Sequence, residues 1–153
     1  MSEWDFFVSY TSDDLDWATW IAWQLESAGY TVLIQDWDFV GGSNWINQMQ
    51  RAVTGAAHTI AVLSTKYLSA SKFGAAEWQA VWAQDPLGES RRLIPIVVEL
   101  KCPRPGLLQG VVGVDLSGLD EAAAESRLLQ AAKSAVVGRV KPVAKPVFPG
   151  SLA

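Results

Sequence analysis

Three carboxylates, Asp13, Asp14 and Asp16, follow the first short apolar run and have the residue type that holds magnesium. Acids occupy this position in phosphoacceptor receiver domains, but that chemistry also needs an Asp at the end of the third strand and a Lys at the end of the fifth. The corresponding positions carry Ser64 and Asp115, so a receiver function is excluded. The remaining interpretation is structural: the acids cap the first helix and favour its positive end.

Hydroxyl groups fill the start of the same loop, in the run Ser9-Tyr10-Thr11-Ser12. These hydroxyls are able to hydrogen-bond a phosphate, but the two adjacent carboxylates that follow oppose a further negative charge. The glycine of a flavin phosphate loop is missing, and neither G-x-G-x-x-G nor G-x-x-x-x-G-K occurs in the chain. Flavin and P-loop functions are therefore disfavoured.

The connection after the second apolar run is unusual because Trp37, Phe39 and Val40 cannot all be core in a surface segment. A glycine pair follows them and permits positive φ and mobility. We interpret this connection as a recognition loop. A plainer alternative stays open, in which the apolar residues form a staple and Ser43 or Asn44 caps the next helix.

A third group consists of Ser71, Phe73 and Glu77. Because Phe73 and Glu77 are four positions apart, a helix that begins near Gly74 places them on one side of its first turn. A carboxylate then stands at the rim of a crevice with an aromatic face beside it. Taken alone, Glu77 is better explained as a first-turn acid that interacts with the helix dipole.

The elements that position these residues alternate regularly along the chain. Short apolar runs without polar alternation, typical of strands buried on both faces, occupy residues 6–8, 32–34, 60–63, 94–98 and 111–114. Helical periodicity predicts helices over 14–28, 45–56, 74–83 and 120–138, the last with Asp120 as N-cap and Gly138 as C′ residue. This order predicts an α/β fold with an open parallel five-stranded sheet and helices on both faces. Pro95 is expected at a strand start or edge, and all tryptophans except Trp37 are assigned to packing.

Composition and charge limit the possible functions. The 153 residues are 50% hydrophobic and carry a net charge of -4, which fits one domain able to bury a core. Residues 1–50 hold eight acids and no Lys or Arg, whereas the rest has 12 bases against 8 acids. An acidic half without a basic stripe disfavours nucleic acid and favours head-to-tail self-contact.

Other features suggest the protein's surroundings. No apolar run is long enough for a membrane span and no basic leader is present, so a cytoplasmic protein that does not bind membranes is expected. Cys102 and His58 each stand alone, so no metal is expected. We expect a domain over residues 1–138 and, over residues 139–153, a Pro/Lys-rich linker to a C-terminal region beyond this sequence.

Five motifs in order resemble a Toll/interleukin-1 receptor (TIR) domain of bacterial type. The resemblance covers about residues 4–137, and the motifs are Phe6-Phe7-Val8-Ser9-Tyr10 with Asp13, Gly41-Gly42-Ser43, Ile60-Ala61-Val62-Leu63-Ser64, Ser71-x-Phe73-x-x-x-Glu77 and Ile94-Pro95-Ile96. It implies a flavodoxin-like sheet in the order 2-1-3-4-5. Many members of that family cleave NAD+ with a glutamate, which in plants is the last residue of a Ser-x-Trp-Cys-x-x-Glu pattern. Here Phe73 replaces the tryptophan and Gly74 the cysteine.

The resemblance implies roles for particular residues. Glu77 is the expected catalytic residue of an NAD+ glycohydrolase that uses NAD+ as substrate and needs no cofactor. The expected substrate-binding residues are Ser9, Tyr10, Thr11, Asp36, Trp37, Phe39, Ser43, Ser71 and Phe73. Self-association with other TIR domains is expected through Asp36, Trp37, Asp38, Phe39, Val40, Gly41 and Gly42. Activation then follows when a larger sensor protein brings copies together.

One departure from the family pattern concerns the pyrophosphate. Plant and animal members place basic residues in the first two loops, whereas residues 1–50 here have none. The remaining possible partners of the pyrophosphate are hydroxyls, backbone amides, or basic residues from a neighbouring copy, namely Lys66, Lys72, Arg91 and Arg92. Two other functions stay open: a non-catalytic TIR–TIR interaction module, which tolerates Gln at position 77, and nucleotide binding without turnover.

Overall fold

A five-stranded parallel sheet forms the centre of the chain, in the strand order β2-β1-β3-β4-β5. The computed structural model describes residues 2–69, 91–102, 111–139 and 141–152. Its elements are β1 (Trp4–Ser9), α1 (Leu15–Ser27), β2 (Val32–Ile34), α2 (Gln35–Asp38), α3 (Trp45–Gly55), β3 (Ala56–Leu63), α4 (Thr65–Ser69), β4 (Leu93–Val97), β5 (Val114–Asp115) and α5 (Glu121–Val137), with 3-10 turns at Ser12–Asp14 and Pro149–Leu152. This is the flavodoxin-like order predicted from the sequence.

Alternate residues of each strand are buried on opposite faces of the sheet. Phe6 and Val8 of β1 pack with Ile21 of α1 and Leu128 of α5 in one core. Phe7, between them, packs with Met49 and other residues of α3 on the other face. Because both faces are covered, the buried parts of β1 to β4 are mainly apolar, as expected for a parallel sheet.

Pro95 is the third residue of β4, an interior strand, which differs from the predicted position at a strand start or edge. The reason lies in the hydrogen-bonding alternation. The carbonyl of Val97 faces β5, where it accepts from the Leu116 amide, so the nitrogen of Pro95, two residues earlier, faces β5 as well. Pairing with β5 begins only opposite Ile96. Proline therefore removes no ladder hydrogen bond here.

Strand five differs from its prediction because β5 covers only Val114–Asp115, whereas residues 111–114 were expected. Val112 is exposed, so that part of the apolar run is not core. Because β5 is this short, the part of β4 that contains Pro95 has no paired neighbour among the described residues on the β5 side. This agrees with the presence of proline at position 95.

The helices confirm their predicted positions but not every predicted core residue. Asp120 caps α5 by accepting from the Ala123 amide, and Gly138 ends it with φ of 91°, as predicted. Trp23 and Trp45, assigned to packing, are exposed. Trp23 is 66% exposed because the buried stripe of α1 runs through Ala18, Ile21, Ala22 and Leu25. The predicted helix over 74–83 lies outside the described residues.

Candidate functional site

The candidate site, here called the crevice, is the carboxyl edge of the sheet between β1 and β3. From β1 the chain first adds β2 on one side and then β3 on the other, so the strand order reverses at this point. Open α/β sheets place ligands at such a reversal, beyond the carboxyl ends of the strands. The residues that follow Ser9 and Leu63 therefore border the candidate site.

Asp14 joins the two loops that border the crevice. Its Oδ2 accepts a hydrogen bond of 2.5 Å from the Ser64 hydroxyl and one of 3.2 Å from the Thr11 hydroxyl. The Tyr67 amide donates to Ser64 Oγ at 3.1 Å. The predicted capping role of Asp14 is wrong, because the side chain makes no cap hydrogen bond to α1 and serves the crevice instead.

Below this cluster, the hydroxyls of Ser9 and Tyr67 lie 3.0 Å apart and are buried. Ser9 is 1% exposed, so direct contact with a substrate would require this hydroxyl to become accessible. Tyr10 and Thr11, the next two predicted binding residues, are half-buried. Tyr67 was not identified from the sequence; its position four residues beyond β3, in a short helix, is the signal that points to it.

Charged side chains form the outer rim of the crevice. Lys66 Nζ lies 3.8 Å from an Asp13 carboxylate oxygen, and both side chains are exposed. Glu99, just beyond β4, accepts from the Thr65 amide at 2.7 Å and from its hydroxyl at 3.1 Å. Glu99 was not predicted as a site residue from the sequence. Its carboxylate ties the end of β4 to the first turn of α4.

The two arginines that were considered as partners of the pyrophosphate lie at the opposite edge of the sheet, before β4. Arg91 Nε donates to the Ala135 carbonyl at 2.7 Å, and Arg92 Nη2 donates to the Val53 carbonyl at 3.4 Å. Both guanidinium groups thus contact the backbone of their own copy. Of the candidates in the described residues, Lys66 is the one at the crevice rim; Lys72 lies outside them.

The predicted recognition loop is partly ordered by local structure. Its first residues form the single turn α2, and the Ile34 amide donates to Asp38 Oδ2 at 2.8 Å. Phe39 packs against the core on the α3 face. Trp37 is 37% exposed and Val40 is 64% exposed, so these two carry the apolar surface of the loop.

The end of this loop contains a glycine in a left-handed conformation and a cap for the next helix. Gly42 has φ of 92°, in the region that favours glycine. Asn44, rather than Ser43, caps α3 by accepting from the Asn47 amide at 2.9 Å. Ser43 is half-buried and its amide donates to the Val40 carbonyl. Asp36 is exposed on α2.

Three predicted site residues, Ser71, Phe73 and Glu77, lie outside the described residues. The described chain reaches Ser69 at the end of α4 and continues from Arg91. The placement of Ser71, Phe73 and Glu77 beside the crevice stays a prediction.

His58 takes no part in this site. It lies near the amino end of β3, where Nδ1 is 2.7 Å from the Arg91 carbonyl and the ring packs beside Phe6. Burial, opposed in part by that hydrogen bond, lowers the pKa of His58 below its ordinary 6.5. Six residues of strand separate it from Ser64, a distance of roughly 20 Å.

Within the described ranges, no group of three His, Cys, Asp or Glu side chains is arranged to hold a metal ion. The described helices include none with the length and apolarity to cross a membrane.

Comparison with known proteins agrees with this geometry. A model of the TIR domain family matches residues 6–129, whereas no curated protein sequence matches the chain. Among solved structures, the TIR domain of the Toll-related receptor TRR-2 from Hydra magnipapillata is similar at 21% identity and a TM-score of 0.66, with 85% of this chain and 98% of that chain covered.

Two further structures show the same fold. The TIR-STING receptor from C. gigas in complex with 2',3'-cGAMP is 22% identical with a TM-score of 0.71; the match covers 92% of this chain and 40% of the receptor. A prokaryotic SEFIR domain is 15% identical with a TM-score of 0.59, and the match covers 95% of this chain and 98% of that one. Because the family model spans most of the sequence, and the strand order and neighbours agree with it, this chain belongs to the TIR domain family.

Proposed function

We propose that this TIR domain is an NAD+ glycohydrolase, with Glu77 as its catalytic carboxylate and with activity that depends on self-association. The observation that carries the proposal is the reversal of strand order between β1 and β3, together with the Asp14–Ser64 and Ser9–Tyr67 hydrogen bonds at that edge of the sheet. The chain leaves this crevice through α4, which ends at Ser69, eight positions before Glu77. Some members of the TIR family cleave NAD, and the Ser71-x-Phe73-x-x-x-Glu77 pattern supports the same activity here.

The proposed reaction needs only one carboxylate. The bond between C1′ of the ribose and the nicotinamide nitrogen breaks, and its electron pair neutralises the pyridinium, so the leaving group requires no proton. Water then adds to C1′ and releases a proton, which gives ADP-ribose. The difficult species is the oxocarbenium-like ribose, and a carboxylate at Glu77 stabilises it by charge and by binding the ribose hydroxyls. A cyclised ADP-ribose forms if a group of the substrate replaces the water.

The described residues supply surfaces for the rest of the nucleotide. The half-buried Tyr10 and Thr11 border the crevice, and Trp37 and Phe39, with Phe73, offer aromatic faces for nicotinamide or adenine. Ser9 is assigned a positioning role, since its hydroxyl is bonded to Tyr67. The pyrophosphate is bound by loop hydroxyls and amides, or by Lys66 and Lys72 of an adjacent copy.

Self-association is proposed through residues 36–42. Val40 and Trp37 expose apolar surface in this segment, and Ile46, at the start of α3, is 68% exposed nearby in the chain. Burial of such surface against a second copy is favourable. We further propose that a sensor region, joined through the Pro/Lys-rich linker, brings the copies together.

The same exposed surface favours a second candidate function, a non-catalytic module that binds other TIR domains. Both functions use residues 36–42, and they differ at Glu77. Catalysis needs the carboxylate, whereas an interaction module retains its assembly with Gln at that position.

The test is nicotinamide release from NAD+ by protein immobilised at high density, so that proximity is enforced. Glu77→Gln is compared with the unsubstituted chain, and Glu26→Gln is the matched control, since Glu26 is an exposed carboxylate at the end of α1 on the other edge of the sheet. We expect loss of at least a hundredfold in rate for Glu77→Gln and none for the control, at equal helix content by circular dichroism.

Three results would contradict the proposal. Equal nicotinamide release by Glu77→Gln and the control would show that Glu77 is not catalytic. If the clustered unsubstituted chain releases no nicotinamide, the interaction module is favoured. Saturable NAD+ binding without nicotinamide release would indicate that the domain binds the nucleotide without turnover.

A further inference from the structure

A groove separate from the crevice lies between the first turns of α1 and α5. It has a volume of about 350 Å³ and is lined by Asp16, Trp17, Trp20, Leu119, Glu121 and Ala124. The rings of Trp17 and Trp20 meet edge to face, with centroids 6.0 Å apart and an interplanar angle of 85°. The Trp20 indole N–H donates to Glu121 Oε2 at 3.0 Å. The aromatic walls are therefore held in place before any ligand arrives.

The rim of this Trp17–Trp20 groove is acidic. Asp16 and Glu121 are both exposed, and neither forms an ion pair with another described residue. The surrounding half of the chain adds to this charge, because residues 1–50 hold eight acids and no base. A ligand that combines apolar faces with positive charge suits this surface.

Residues 141–149, here called the Lys-Pro segment, have that composition. A Lys-Pro-Val triplet occurs twice, at 141–143 and 145–147, and Pro149 follows. Proline fixes φ near the polyproline II value at three of its nine positions, which reduces the conformational entropy that the segment loses on binding. Every residue of the segment is exposed. Pro-rich segments of this kind bind grooves lined by aromatic rings, and a basic residue beside the prolines pairs with an acid at the rim.

We propose that the Trp17–Trp20 groove binds the Lys-Pro segment of a second copy of this chain. The segment follows Gly138 at the far end of α5, roughly 26 Å from the groove along a 17-residue helix. Within one copy the segment stays exposed and the groove stays open. A contact between the groove of one copy and the segment of the next is head-to-tail, so it repeats and extends an assembly. This surface differs from residues 36–42, and the inference does not depend on NAD+ cleavage.

The first test is direct binding of a fluorescent peptide with the sequence of residues 139–149 to the full chain, followed by anisotropy at low salt. Asp16→Lys reverses the rim charge, and we expect roughly tenfold weaker binding. Lys133→Glu is the matched control, because Lys133 is exposed near the other end of α5; its binding should be unchanged. A peptide with both lysines changed to glutamate should also lose affinity. Equal binding by all proteins and peptides would overturn the proposal.

The second test separates binding between copies from binding within one copy. Asp16→Lys disables the groove, and Lys141→Glu combined with Lys145→Glu disables both triplets of the segment, so each variant chain alone cannot extend an assembly. An equimolar mixture retains one intact groove and one intact segment, and sedimentation should show a heterodimer that does not grow with concentration. If, at a concentration where the unsubstituted chain is a monomer, the peptide binds only to the chain with both lysines changed, the groove is already filled by its own segment, and the second-copy proposal is wrong. Absence of both the heterodimer and peptide binding also rejects it.

Discussion

The hydroxyl of Ser64, the residue that follows β3, lies 2.5 Å from the Asp14 carboxylate in the turn that follows β1. The two residues are 50 positions apart in the chain, and they meet because β1 and β3 are neighbours in the sheet. Asp14 thereby fixes the relative position of the two loops on either side of the crevice. A binding site at this edge depends on that position.

We predict that Asp14→Ala destabilises the protein by about 1–3 kcal/mol, since it removes both acceptor contacts and leaves the hydroxyl of the buried Ser64 without this partner. Asp13→Ala is the control, because its exposed contact with Lys66 at 3.8 Å contributes little. Urea unfolding at pH 7 measures both. Equal midpoints for the two variants would show that Asp14 does not stabilise the fold.

A second prediction concerns the hydroxyl pair beneath the crevice. Tyr67→Phe keeps the ring but removes the 3.0 Å hydrogen bond to Ser9, and we expect a loss of about 1 kcal/mol in unfolding free energy. Tyr30→Phe keeps its edge-to-face contact with Phe6 and is expected to change stability less. If the proposed activity is present, clustered Tyr67→Phe should also release nicotinamide more slowly, as a positioning role requires. A larger loss for Tyr30→Phe would contradict this assignment.

Most of the fold is predictable because parallel strands covered on both faces leave a simple sign in the sequence, a short run without polar residues. Strand β1 and the ends of α5 follow from such local signals, with Asp120 and Gly138 as clear boundaries. Pro95 is different. Its tolerance depends on which side of β4 its nitrogen faces and on how far β5 extends, and neither is a property of the local sequence.

The candidate site is less predictable for the same reason. Asp14 stands at a helix start, where a capping role is the best local explanation, yet its partner comes from β3. Once the strand order 2-1-3-4-5 is assumed, the hydroxyls after β3 must face the loop after β1, so this contact is predictable from topology. The contact between Tyr67 and Ser9 is predictable from the strand order in the same way. The role of Glu77 rests on the family pattern and on the test above.

Self-association through residues 36–42 gives a third prediction. Val40→Asp places a charge on a side chain that is 64% exposed, so the fold should be unchanged while association weakens by roughly tenfold. Val112→Asp is the matched control, because Val112 is 91% exposed elsewhere on the chain. Sedimentation velocity over a range of concentrations compares the two. Equal weakening by both variants would mean that residues 36–42 are not the specific surface.

The last prediction follows from the buried His58. Its ring is faced by the Arg91 carbonyl, by the Phe6 ring, by the charges of Arg91 and Arg92, and by Asp5. Burial is the largest influence and lowers the pKa of His58 from 6.5, and the two arginines act in the same direction; the Arg91 carbonyl and Asp5 oppose them. The unfolded chain therefore binds a proton at a higher pH than the folded chain does.

It follows that the contribution of His58 to stability is complete above pH 6.5 and is lost as the pH falls from there through the lowered pKa of the folded state. We expect the unfolding free energy of the unsubstituted chain to fall more steeply than that of His58→Gln between pH 6.5 and 5, by at most about 1.4 kcal/mol per pH unit, the limit for one proton. Carboxylates titrate in both proteins, so the difference between the two slopes isolates His58. Parallel slopes would show that burial does not hold this imidazole neutral.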